Sequence, residues 1–92
     1  MRYYFKRSED SARWDAIIEH LHEPFDEPEI TLYPETPEIL EDYENNDNTD
    51  WWPVSRFDGI TGTAGDFATI EEAKEDYYST EGWKLYCYLH DC

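Results

Sequence analysis

The chain opens on an alternating run. From Arg2 to Arg7, Tyr3 and Phe5 fall on one side and Tyr4 and Lys6 on the other, the period of two that marks a strand. The period changes after Ser8. Trp14, Ile17, Ile18 and Leu21 recur at i, i+3, i+4 and i+7, one apolar stripe of a helix predicted from Glu9 to about His22. Ser8 serves as its N-cap, Glu9 and Asp10 fill the first turn where the helix dipole favours anions, and Pro24 marks its end.

The middle of the chain is punctuated more often. Residues 23–29 (EPFDEPE) read as a proline-broken acidic loop, and residues 30–33 (ITLY) as a short strand. Thr36-Pro37-Glu38 caps and starts a short helix running to about Glu44, with Ile39, Leu40 and Tyr43 inward. Residues 45–50 (NNDNTD) form a loop by composition. Residues 51–57 (WWPVSRF) form a strand whose Pro53 calls for an edge or a bulge. Asp58-Gly59 offers a turn, after which residues 60–64 pair back as a hairpin.

Thr69 and Glu72 make a capping box, and the helix it opens places Ile70, Ala73, Tyr77 and Tyr78 on one face, with Gly82 as its stop. Residues 83–90 (WKLYCYLH) then alternate Trp83, Leu85, Cys87 and Leu89 against Lys84, Tyr86, Tyr88 and His90, a final strand. This order predicts an α+β fold: an antiparallel sheet of four to five strands with two main helices on one face, a sandwich of ferredoxin-like type. A length of 92 residues supports a single domain, residues 1–92, with an acidic insertion around 23–50.

Charge changes the picture more than any motif does. The chain carries 23 Asp and Glu against 7 Lys and Arg, a formal net charge of −16. Residues 1–13 hold Arg2, Lys6, Arg7 and Arg13 against two acids, whereas residues 14–55 hold 13 acids and no Lys or Arg. Ordinary surfaces mix the two signs, because a one-signed field costs stability through self-repulsion. Direct binding of nucleic acid is excluded on this ground, since a polyanion repels the phosphates that supply most of that affinity. An anionic membrane surface is disfavoured for the same reason.

No apolar run approaches the ~20 residues of a membrane-crossing helix. Met1-Arg2-Tyr3-Tyr4-Phe5 is not followed by the apolar stretch of a signal peptide. Two cysteines make no disulfide framework, so the expected setting is the reducing cytoplasm.

The candidate partner-binding residues are Glu19, Glu23, Asp26, Glu27, Glu29, Glu35, Glu38, Glu41, Asp42, Glu44, Asp47 and Asp50, joined by Trp51 and Trp52. The 13 carboxylates of residues 14–55 match in number the charge of roughly 22 Å of duplex DNA. On one face they would present carboxylates where a DNA-binding cleft expects phosphates. The alternatives are a solvated face and halophilic adaptation; against the latter, the N-terminal segment is basic and aromatics reach 17%. Adjacent tryptophans on a strand point to opposite faces, so one of the pair is exposed unless covered, and exposed Trp anchors protein interfaces.

Other chemistry is poorly supported. His20 and His22 diverge on a helix, Cys87 and Cys92 lie on opposite faces of any strand, and no CxxC supports zinc. Residues 47–50 (DNTD) lack the glycine and the terminal Glu of a calcium loop. Neither a nucleophile motif nor a diagnostic carboxylate pair occurs. The glycine-spaced stretch at Gly59, Gly62 and Gly65 is flanked by Asp58 and Asp66, which repel phosphate. The protein reads as a non-enzyme without cofactor or metal.

Size, charge and aromatic content together resemble the small acidic proteins by which bacteriophages disable host defence: DNA-mimic anti-restriction and anti-CRISPR proteins, and inhibitors of uracil-DNA glycosylase or recombination nucleases. The resemblance covers the general character of the whole chain and rests on no motif, so no residue role transfers. It implies competitive occupation of the basic DNA- or RNA-binding groove of a restriction, CRISPR, repair or recombination enzyme, in the host cytoplasm. An immunity protein or antitoxin against a basic nuclease toxin uses the same physics. An acidic housekeeping or halophilic domain is the remaining alternative. Oligomeric state stays open: closed homodimers are common, and one would double the acidic surface.

Overall fold

Residues 3–6 form β1 (Tyr3–Lys6), and the chain passes without a loop into α1 (Arg7–Glu19). After a long irregular stretch come β2 (Tyr33–Pro34), α2 (Pro37–Asn45), β3 (Trp51–Pro53), β4 (Ser55–Arg56), β5 (Thr63–Ala64) and α3 (Ile70–His90). This is a computed structural model, and it describes residues 1–56 and 63–90. The Asp58-Gly59 turn, the expected strand residues 60–62 and Cys92 lie outside the described residues.

The α+β class holds, but the expected four- to five-stranded ferredoxin-like sandwich does not. Among the described residues there are three helices, a three-stranded antiparallel sheet in the order β2-β1-β3, and a separate two-stranded ladder, β4-β5. The largest departure is at residues 83–90. They form no final strand; α3 runs through Gly82 to His90. Nucleating a helix is the costly step, and adding residues to one already formed is not. Once residues 70–81 are helical, Gly82 opposes extension by only about 1 kcal/mol. The run WKLYCYLH is apolar enough that alternation alone could not separate strand from helix.

The strand read at 51–57 is also divided. Val54 breaks it: its N–H donates to the Tyr3 carbonyl at 2.9 Å while its carbonyl accepts from Gly65 N–H at 3.3 Å. Beyond that break, Ser55 pairs with Ala64 and Arg56 with Thr63, the antiparallel hairpin expected there. The strand at 30–33 shrinks to Tyr33–Pro34, with Ile30 and Leu32 buried outside any ladder.

The chain divides into two compact units, Tyr4–Trp52 and Met1–Tyr3 with Pro53–Cys92. In the first, Tyr4, Ile17, Ile30, Leu32 and Ile39 are the buried apolar residues. In the second they are Tyr3, Val54, Phe67, Ala73 and Tyr77, and α3 packs on β4. There the chain's first residue is pinned by reciprocal backbone bonds with Phe67 at 2.9 and 3.2 Å.

The helix ends show which local signals governed. Thr36 caps α2, its hydroxyl accepting from Ile39 N–H at 3.2 Å, with Pro37 at the first helical position. At α3, Thr69 accepts from Glu72 N–H at 3.3 Å, and the Glu72 carboxylate reaches back to Ala68 N–H at 3.1 Å. Helix α1 starts earlier than expected, with Lys6 at the cap position, so Ser8 lies inside it and is itself held from outside. The helix also ends earlier, at Glu19, well before Pro24.

Candidate acidic interface

All fourteen predicted interface residues lie in the unit Tyr4–Trp52. Ten of the twelve carboxylates are exposed: Glu19, Glu23, Asp26, Glu27, Glu29, Glu38, Glu41, Glu44, Asp47 and Asp50. Glu35 and Asp42 are half-buried and turned to structural bonds.

The loop after α1 is irregular but anchored. Arg13, only 4% exposed, donates from Nη2 to Glu27 Oε2 at 2.8 Å and from Nε to the Pro28 carbonyl. His20 pairs with Glu23 and stacks on Phe25 at 4.7 Å between ring centroids. These contacts hold residues 23–28 at four points while Glu23, Asp26 and Glu27 stay exposed. Glu19 stands exposed at the last residue of α1, and Glu29 is exposed just beyond the clamp.

Helix α2 supplies the most regular part of the surface. Ile39 points to the core, which leaves Glu38, Glu41 and Glu44 exposed at three-residue intervals over about 9 Å of helix axis. Asp42 turns the other way and closes the following loop, accepting from the Thr49 hydroxyl and from Asn46 Nδ2 at 3.1 Å. The bonds from Thr49 and then Asn46 hold its carboxyl below the ordinary carboxylate range. Glu35 accepts from the hydroxyl of the fully buried Tyr4 at 2.7 Å.

Asp47 and Asp50 line a shallow polar depression with Arg7, Ser8, Ser11, Asn48 and Thr49. Asp50 accepts from the Ser8 hydroxyl at 2.6 Å and from Ser8 N–H at 2.9 Å. Those two bonds, helped by the charges of Lys6 and Arg7, hold its carboxyl below the usual range.

The two tryptophans take opposite sides of β3. Trp51 is half-buried, edge-on to Tyr33 at 5.1 Å and under Lys6 Nζ at 5.5 Å. Trp52 is 45% exposed, with the Arg7 guanidinium 5.2 Å from its ring and Tyr43 edge-on at 6.3 Å. Lys6 and Arg7 thus cover aromatic faces as cation–π partners.

Two features escaped the sequence reading. Arg13 was counted only as charge; its signal was its place four residues before Ile17 on the apolar face of α1, where a lone guanidinium needs a partner. The exposed aromatic end of α3 was hidden by the strand assignment at 83–90. Among the described residues no group of three or more His, Cys, Asp or Glu is placed to hold a metal ion, and no helix is long and apolar enough to cross a membrane. Comparison with known proteins finds no matching family model, curated protein or solved structure.

Proposed function

We propose that this protein is an inhibitor that mimics nucleic acid, occupying the basic DNA- or RNA-binding cleft of a host defence or DNA-processing protein. The observation that carries the reading is the exposure of ten carboxylates within a stretch that contains no Lys or Arg. A surface of this kind raises the local concentration of a basic partner and steers it into contact, with an association rate that falls as salt is added. The anchored loop at 23–28 and the carboxylate row on α2 favour recognition over mere solvation, because a solvated acid needs no fixed position. Trp52 supplies an apolar contact beside the charges. The mode of action is occupation, not catalysis.

The test is a pull-down from the source cell or its host, eluted by duplex DNA or by salt, with the captured proteins identified by mass spectrometry. Capture of a restriction, CRISPR, repair or recombination protein that DNA releases is the expected result. Capture of a toxin-like nuclease would replace it with the immunity reading. If nothing basic is retained at low salt, the charge is solvation and the proposal fails.

A further inference from the structure

The two halves of α3 differ in a way one copy of the chain does not explain. Residues 70–81 bury Ala73, Tyr77 and Glu81 at i, i+4 and i+8, an ordinary inward stripe. Residues 82–90 bury nothing fully, although six of the last eight are apolar or aromatic. Trp83, Tyr86, Tyr88 and Leu89 are 50–55% exposed. Trp83 stacks on Tyr86 at 5.5 Å, and Tyr86 meets the His90 ring at 4.4 Å with a tilt of 37°, a run of ring contacts along the last two turns. Helical segments that are apolar on every side are normally buried ones.

We propose that α3 pairs antiparallel with α3 of a second copy, the Trp83–Tyr86 end of each helix lying on the Glu71–Ser79 stretch of the other. Charge sets the direction. The first half carries Glu71, Glu72, Glu75, Asp76 and Glu81 against Lys74, while the second carries Lys84 and His90 and no acid. A parallel pair would set acid against acid; an antiparallel pair sets Lys84 toward the partner's acidic half.

Shape sets the register. Glu71, Glu75, Ser79, Gly82, Tyr86 and Leu89 are all exposed and follow one another at four- or three-residue steps, a single stripe along the helix. A side chain built at Gly82 would meet nothing within 4 Å, so the chain's own packing does not call for a glycine there. A glycine in mid-helix is instead suited to close approach of a second backbone. Crossing the two stripes between Ser79 and Gly82 puts Tyr86 opposite Glu75 of the other copy. A surface groove lined by Glu71, Lys74, Glu75, Tyr78 and Ser79 opens there to receive it.

Trp83, Tyr86 and Leu89, which lie on or beside this stripe, are half-exposed and offer about 100 Å² each to the partner.

Sedimentation equilibrium of the full chain at 10–100 µM tests this, with a mass of twice 11.1 kDa expected. The association should tighten from 0.05 to 1 M NaCl, because two copies of charge −16 repel. The double variant Trp83→Ser, Tyr86→Ser should weaken it at least tenfold, as should Gly82→Gln, which puts bulk at the crossing while raising helix content by circular dichroism. Spin labels on Ser79→Cys, with Cys87→Ser and Cys92→Ser, should give a backbone separation of about 10 Å across the dimer; labels on His90→Cys should give about 30 Å. A monomer at both salt concentrations, a dimer indifferent to these substitutions, or short separations at both labels would overturn the proposal. Occupation of the α3 face by a different protein while the chain itself stays monomeric overturns it as well.

Discussion

Asp50 holds Ser8 through both carboxylate oxygens, one accepting the hydroxyl at 2.6 Å and the other the backbone N–H at 2.9 Å. Its own backbone carbonyl accepts Arg7 N–H at 2.7 Å. The first turn of α1, which lacks a side-chain cap from Lys6, is therefore closed by a residue 42 positions away. Replacing Asp50 with Ala should lower the melting temperature and accelerate amide exchange at residues 7–9. Asp50→Asn, which keeps one acceptor, should fall between that variant and the parent.

Acid should reveal the same bonds. Asp42 and Asp50 both titrate below the ordinary carboxylate range because their anions are hydrogen-bonded in the folded state. A depressed folded-state pKa means that the stabilisation is complete above the unfolded-state value, near 4, and is lost as pH falls through the folded-state value. Denaturant midpoints measured from pH 7 to pH 2 should drop along this limb. The double variant Asp42→Asn, Asp50→Asn should start lower and fall less. An equal fall in both proteins would mean that other carboxylates set the acid limb.

Arg13 and Glu27 should respond unequally to removal, although they form one ion pair. Arg13 is buried and also serves the Pro28 carbonyl, so Arg13→Ala should cost about 2–3 kcal/mol and release the 23–28 loop to faster amide exchange. Glu27 is half exposed, with 53% of its side chain accessible, so Glu27→Gln should cost under about 1 kcal/mol. Urea unfolding of the two variants separates these outcomes.

Tyr4→Phe removes only the hydroxyl that Glu35 accepts. The ring stays buried and edge-on to Tyr43 at 5.8 Å, so the expected cost is about 1 kcal/mol, against about 3–5 for Tyr4→Ala, which leaves a cavity. Calorimetry of the pair checks the ratio.

Glu38, Glu41 and Glu44 offer the sharpest test of the proposed interface. Changing all three to Lys should leave circular dichroism and melting temperature nearly unchanged, since all three side chains are exposed. Capture of a basic partner should be lost. Retained capture would move the interface off α2.

What could be read from the sequence was what is local. Thr36-Pro37 and the Thr69–Glu72 box act within a turn of helix and each formed where its residues stand, whereas the stripe at Ile17 gave α1 with both ends shifted toward the N-terminus. The β-structure was less legible because its elements are two to four residues long, too short for a period of two to assert itself. Residues 83–90 failed for a different reason: their apolar content fits either element, and continuity with the preceding helix decided the matter. The acidic stretch was legible as charge, whereas the use of Glu35, Asp42 and Asp50 as acceptors depends on Tyr4, Thr49 and Ser8, partners that only folding brings near.

The placement of the basic residues has an ionic consequence. Arg13 is committed to Glu27 and Pro28, and Lys6 and Arg7 lie over tryptophan rings. The 13 acids of residues 14–55 have no ammonium or guanidinium group within that stretch, so much of their neutralisation must come from dissolved cations. Such a surface gathers an atmosphere of small ions, as a nucleic acid does, and a basic protein that displaces those ions recovers their translational entropy. Part of the affinity is then held in the buffer around the protein, and the slope of log K against log salt would count the ions set free.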